Sequence, residues 1–444
     1  MPKFRDTFME YIGEGELHSD DKQIPIKFNC QQLWDGNIIG DIELIKGEHL
    51  IDLFQIFNKI LPSKISGVTN GGLRISIESI YLTKIPIGEN ENIKFFAKEV
   101  KAKKREIISN ESEIIINFGI TNFQSFRTVV NTNVGDLIFK NLEGNEDLIN
   151  DITAYKKACI TGIASLIFNI EIKENSIEDY LELAQKEINK VLILTSFSQG
   201  IYQTWKFIEI YEKIDGENEK IYTYNASTRD KCMNFRPVIS YRNLTNYLSI
   251  TYSNYTDELE ERIGMCNAID WYLESLADRV VEANYIAAFV CLELLVHRDE
   301  TITSDKILNE DVFSRLREIL KEASKTFFYE EGIYTQDRRS FYSNIIGLNR
   351  PPFSEQFNKL LTFYEIGCSD IFSDLKEPKT IRDNLVHGGQ TGTDVDTLIS
   401  NYHKLMAMNQ RIILSILNYN GHSFIDWLNN NEYGQFNKDP NEEH

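Results

Sequence analysis

Two side chains in this sequence have the types and the spacing for proton and phosphate chemistry. In Arg382-Asp383-Asn384-Leu385-Val386-His387, followed at once by Gly388-Gly389, a permanent cation stands five residues before an imidazole. A guanidinium stays charged and makes forked hydrogen bonds to phosphate oxygens. An unperturbed imidazole titrates near neutrality and suits proton transfer. RNA carries its own nucleophile, the 2'-hydroxyl. Its cleavage needs that hydroxyl deprotonated, the extra phosphate charge stabilised and the departing 5'-oxygen protonated. Positioned cations can do this without a metal ion. The bare spacing has low specificity, because a chain of this composition yields such a pair about once by chance. The double glycine also reads simply as a helix stop.

Helical geometry limits how these residues cooperate. The segment from Pro378 to His387 reads as a short helix, with Pro378 near its start. At about 100° per residue, Asp383 and His387 share a face four residues apart, which would let Asp383 orient the imidazole. Arg382 lies about 140° round from His387. One helix therefore supplies an incomplete site. A two-fold partner presenting the same helix would supply a second Arg and His across the cleft. Upstream, Phe289-Val290-Cys291-Leu292-Glu293-Leu294-Leu295-Val296 contains one acid among apolar neighbours. A carboxylate there is costly unless paired. Glu293 is either a partner for Arg382 or a helix-edge residue that reaches water.

The elements around these residues fall into two periods. Up to about residue 175, alternation at period two marks half-buried strands, most naturally antiparallel. Examples are Leu73-Arg74-Ile75-Ser76-Ile77, Ile93 to Lys98 and Phe168 to Ile172. Ile24-Pro25-Ile26-Lys27-Phe28 reads as an edge strand because of its proline. Leu181 to Leu194 has helical spacing with Ser176 as N-cap, and Trp205–Tyr211 and Lys220–Tyr224 read as a strand pair around Asp215-Gly216. From about residue 245 the period is helical. Helices are expected over Tyr255–Leu276, Ala277–Val296, Val312–Phe327, Phe353–Tyr364 and Pro378–His387, with a last one capped by Thr393. The expected fold class is α+β, with a β-rich sandwich or barrel-like domain over 1–245 and an all-α helical bundle over 246–444.

Bulk properties narrow the functions. The formal net charge is -20 over 444 residues, which argues against indiscriminate coating of nucleic acid or anionic membrane. A small cationic cleft in an acidic body is still compatible. The six cysteines are scattered with no Cys-x-x-Cys pair, so reduced thiols are expected rather than a zinc knuckle. Met1-Pro-Lys-Phe-Arg-Asp6 has no apolar signal core and no run is long enough to span a bilayer, so the expected location is cytoplasmic. The run Lys98, Lys101, Lys103, Lys104 and Arg105 reads as a solvated strand end or as a guide for RNA. Arg315, Arg317, Lys321, Arg338 and Arg339 read as a mixed-charge surface or an RNA path. His297 beside Asp299 and Glu300 offers metal-capable atoms with no second cluster to complete a site.

Ile381-Arg382-Asp383-Asn384-Leu385-Val386-His387-Gly388-Gly389 resembles the Arg-x(4–6)-His motif of the HEPN superfamily of small helical domains. Ala287 to Leu295 resembles the earlier helix that carries the family's acidic residue, and the C-terminal half is similar to the ApeA-like HEPN group. The β-rich front more loosely resembles the domain found ahead of it. The resemblance implies a metal-independent endoribonuclease with Arg382, His387, Asp383 and Glu293 as its candidate catalytic residues and with no cofactor or metal. It implies an RNA substrate such as transfer RNA, a homodimer paired through the HEPN domain, and no membrane. It further implies service in anti-phage abortive infection, with a phage protein as trigger sensed by the β-rich domain. The competing expectation is a non-catalytic sensor or toxin–antitoxin partner, since some HEPN proteins only bind.

Overall fold

The computed structural model describes residues 6–19, 22–45, 62–84, 92–105, 108, 112–124, 127–143, 158–170, 176–227, 236–298, 306–332, 335–372, 374–389, 392–420 and 422–428. Period-two alternation becomes strand throughout the first half. The strands are β1 (Thr7–Ser19), β2 (Lys22–Leu33), β3 (Ile38–Leu44), β4 (Ser63–Thr69), β5 (Arg74–Lys84), β6 (Ile93–Ala97) and β7 (Glu99–Lys103). Then follow β8 (Glu113–Thr121), β9 (Thr128–Asn131), β10 (Gly135–Asn141) and β11 (Ile160–Phe168). Helix α1 (Ile177–Gln199) precedes the hairpin of β12 (Trp205–Ile214) and β13 (Glu217–Ala226). These 13 strands form one sheet of antiparallel neighbours in the order β4-β1-β2-β3-β6-β5-β7-β13-β12-β8-β11-β10-β9. Because β4 pairs with β5 as well as with β1, the first six strands of that order close into a ring. Apolar residues from every strand of the ring, Leu17, Phe28, Ile42, Ile65, Ile77 and Phe95 among them, pack inside it.

Local chemistry explains several details. Ser176 caps α1 by accepting the Asp179 N–H at 3.1 Å, and Gly200 ends it with φ +61°. Pro25 sits inside an interior strand, not an edge. Its carbonyl accepts the Ile45 N–H at 3.4 Å, so its nitrogen also points toward β3. The β3 ladder begins at Ile26, so the missing donor falls just past its end and costs no rung. The strand expected from Phe168 onward is instead the end of β11; Glu171 and Ile172 lie outside the described residues.

By internal contacts the chain divides into 1–253 with 276–278, and 254–275 with 279–444. Helix α2 (Leu244–Asn254) follows the change of period yet belongs to the first unit. The Tyr252 hydroxyl donates to the Glu187 carboxylate of α1, and the Thr245 hydroxyl reaches Thr128 at 3.4 Å.

The second unit holds α3 (Asp257–Ile263), α4 (Met265–Glu274), α5 (Val281–His297), α6 (Glu310–Glu330), α7 (Thr335–Gly347), α8 (Phe353–Phe363), α9 (Lys376–Gly388) and α10 (Val395–Ile416). The helix expected over Tyr255–Leu276 is broken in two at Gly264, which has φ +66°. Asp394, not Thr393, caps α10, accepting the Thr397 N–H at 2.9 Å. Helix α7 was not expected, because its sequence is apolar only in its second half.

Helix α5 is the hub and packs against α4, α8, α9 and α10. Ala288, Phe289, Cys291, Leu292, Leu295 and Val296 are buried. Each large apolar side chain so buried contributes about 1.5–3 kcal/mol. Polar contacts fix the register: Asn409 Nδ2 donates to the Ala288 carbonyl at 2.8 Å, and Cys291 Sγ to the Ala268 carbonyl at 3.2 Å. Among the described residues no helix is long and apolar enough to cross a membrane.

At Gly264 a Cβ would stand 2.1 Å from Arg298 Nη1 on a left-handed backbone. Gly264→Ala is expected to destabilise the chain by about 2 kcal/mol or more. Equilibrium urea unfolding of the full chain checks this, and an unchanged midpoint would refute the role given to Gly264.

Candidate functional site

Helix α9 starts where Asp374 Oδ1 accepts the Lys376 N–H at 2.8 Å, and Pro378 in its first turn needs no donor there. It ends at Gly389, whose φ of +65° is open to glycine and whose N–H bonds the Leu385 carbonyl at 3.2 Å. Pro378, Ile381 and Leu385 form its buried face. Arg382, next to Ile381, lies along the flank of α5.

Three α5 residues, each four after the last, meet α9. The Tyr285 hydroxyl donates to the Pro378 carbonyl at 3.0 Å. The Phe289 ring faces the Arg382 guanidinium, with Cζ 5.6 Å from the ring centroid. Arg382 Nη2 donates to Glu293 Oε1 at 2.5 Å, and its Nη1 donates to Asp383 Oδ1 at 2.7 Å. The guanidinium is thus held between two carboxylates over an aromatic face. Partial burial opposes its charge, but the hydrogen bonds and charges of Glu293 and Asp383 prevail and raise its pKa above the ordinary arginine value. Glu293 combines both of its alternative readings, since it pairs with Arg382 while its side chain is 26% exposed to water.

The four candidate residues do not all converge. Arg382, Asp383 and Glu293 touch; His387 does not join them. His387 is exposed in the last turn of α9, and among the described residues it has no hydrogen bond, ion pair or ring contact. Asp383 spends its carboxylate on Arg382 and does not orient the imidazole. The regular helix sets this arrangement, because five residues at about 100° each turn His387 away from the face that meets α5. Five guanidinium N–H groups against two strong acceptors leave donors for a further oxygen.

Other sequence candidates are placed as follows. Arg317 and Lys321 approach Glu318 at 3.9 and 3.3 Å, a mixed-charge surface of α6. The Arg338 side chain, Asp299 and Glu300 lie outside the described residues. The His297 ring packs on Phe353 with centroids 5.3 Å apart. Among the described residues no group of three or more His, Cys, Asp or Glu is placed to hold a metal ion. Phe289 and Tyr285 were missed by sequence reasoning. Stepping back from Glu293 by four would have found them, but a helix apolar nearly all round gives no face to count from.

Comparison with known proteins finds no matching family model, no matching curated protein and no matching solved structure.

The side chains of the Arg382–Glu293 pair are about a quarter exposed, so solvent screens part of their attraction. A double-mutant cycle of Glu293→Gln and Arg382→Gln is expected to return a coupling free energy of about 1 kcal/mol in chemical unfolding. Additive effects would show that the pair does not tie α5 to α9.

Proposed function

We propose that this chain is a metal-independent endoribonuclease of the HEPN type, acting through α9. One observation carries the reading: a guanidinium is fixed in place by Glu293, Asp383 and Phe289, and an exposed imidazole ends the same helix. In this scheme Arg382 holds the scissile phosphate through donors that the carboxylates do not use. The 2'-oxygen attacks phosphorus and loses its proton, the bond to the 5'-oxygen breaks, and that oxygen takes up a proton. His387 moves one of these protons. The product is a 2',3'-cyclic phosphate, and no electrons are exchanged. Asp383 is the more exposed of the two carboxylates at 39%, so it is the one an arriving phosphate displaces.

Because Arg382 and His387 leave α9 on different sides, the site is completed by a second copy of the helix in a homodimer. The substrate class is RNA, with transfer RNA a candidate, and the setting is anti-phage abortive infection with the β-rich unit receiving the trigger. The same double pairing of Arg382 also favours a second reading. A guanidinium with two carboxylates is what a purely structural tie between helices looks like, and the second unit would then be a non-catalytic binding module.

His387→Ala separates the two readings. The nuclease reading expects RNA cleavage by the pure protein to fall by at least about a hundredfold, with unfolding unchanged and wild-type cleavage insensitive to EDTA. Wild-type protein that degrades no RNA, or a variant as active as wild type, sinks it; the readout is sequencing of RNA ends.

The dimeric site makes a separate demand. Co-expressed Arg382→Ala and His387→Ala chains are expected to regain cleavage that neither variant has alone, since one of the two sites in the mixed dimer keeps both groups. No recovery in purified mixed dimers would mean that each chain uses its own pair.

A further inference from the structure

Helix α6 has two apolar faces, and the second unit covers one of them. The helix is tied down at its start, where Asn349 Oδ1 accepts the Leu308 N–H at 2.7 Å and Asn349 Nδ2 donates to the Leu308 carbonyl at 2.9 Å. On the covered face Phe313 and Phe328 are buried. The Phe328 ring meets Phe341 edge-on, with centroids 5.0 Å apart.

The neighbouring face is uncovered among the described residues. It carries Val312, Leu316, Ile319, Ala323 and Phe327, all exposed, Ile319 at 65% and Phe327 at 55%. Apolar residues scattered singly over a surface are ordinary. These are aligned: at about 100° per residue they fall within an arc of about 80°. From Val312 to Ala323 the spacing is four, three and four, with no polar residue in the row. That is the seam of a coiled coil, in the order d-a-d-a.

The residues beside the seam decide what covers it. One edge is apolar, with Leu320 and Phe327. The other edge carries Arg315 and Glu322, opposite in sign and seven residues apart. Among the described residues Arg315 has no hydrogen bond or ion pair. Glu322 pairs with Lys325 on its own helix, but both side chains are well exposed, and such a pair holds its partners weakly. A second α6 laid antiparallel brings Arg315 to the partner's Glu322 and Glu322 to the partner's Arg315. The same placement sets Leu316 on the partner's Ile319 and Val312 on the partner's Ala323, so the seam covers itself. A parallel copy would face Arg315 with Leu320 and Glu322 with Phe327, and no ion pair would form. A partner carrying one sign of charge would be repelled at one of the two positions.

We infer that α6 is a self-association surface, on which the α6 of a second copy lies antiparallel. The contact is separate from α9 and does not depend on the reading of Arg382. One helix pair buries less than the roughly 1,600 Å² of a standard stable interface. Association is therefore expected at micromolar concentrations.

Sedimentation of the full chain over a series of about 1–200 µM tests the inference. Wild type is expected to show a reversible association step. Ile319→Glu should remove that step, and Arg315→Glu should weaken it about fivefold. Combining Arg315→Glu with Glu322→Arg should restore it, because the exchanged charges meet again across an antiparallel pair. A dimer built on α9 would persist in all of these variants, since none of them alters that helix. The substituted side chains are exposed, so the variants should melt as wild type does. The inference is overturned if Ile319→Glu and wild type show the same species throughout the series. A lower melting temperature in that variant would then assign the cover of the seam to another part of the chain. A charge exchange that fails to restore what Arg315→Glu loses also overturns it.

Discussion

A carboxylate on a buried helix has to meet a cation, and in this chain α5 meets Arg382. Helix α5 packs against four other helices, and Ala288, Phe289, Cys291, Leu292, Leu295 and Val296 along it are buried. Glu293 is tolerated because it sits on the flank toward α9, where a guanidinium reaches it at 2.5 Å. That ion pair and the buried Pro378, Ile381 and Leu385 agree on which face of α9 is turned inward. With Pro378, Ile381 and Leu385 buried and Arg382 beside them, the far side of α9 is committed to solvent. The exposure of His387 follows from that inward face and the helical repeat that carries the chain past it.

The first unit is organised by a different constraint, the two-sidedness of the strand. Every inward Ile or Val on β5 and β7 forces its neighbours to the opposite face. The outward facing of Lys101 and Lys103 is therefore a by-product of burying Val100 and Ala102. A one-residue slip of β7 against β5 would send both lysines into the apolar interior, and the cost of burying them holds the register. Charge on one face and apolar packing on the other thus support the same pairing.

Much of this was legible in the sequence, wherever the rule at work was local. Ser176 reads as a helix cap from its own neighbourhood, and it is one. The lone acid at Glu293 left two readings open, a partner for Arg382 or a helix-edge residue that reaches water, and it is both; the five-residue separation of Arg382 and His387 already placed them on different sides of a helix. Rules that depend on distant partners failed. Pro25 was assigned to an edge because no local pattern shows where the neighbouring ladder ends. Gly264 breaks a helix whose apolar spacing runs on without interruption, and it does so where Arg298 crowds the backbone. Thr393 and Asp394 can both cap a helix, and sequence alone does not choose between adjacent capping residues.

The closed ring of β4-β1-β2-β3-β6-β5 bears on how the protein behaves in a crowded solution. A sheet ordinarily has two open margins, each a row of unpaired backbone groups that can recruit strands from other molecules. Here one margin is abolished, because β4 finds its second neighbour in β5. Among the described residues the sheet's other end is β9, four residues long. So short a margin gives an incoming strand few rungs to hold. A 13-stranded sheet of high β content is thereby left with little surface for templated aggregation.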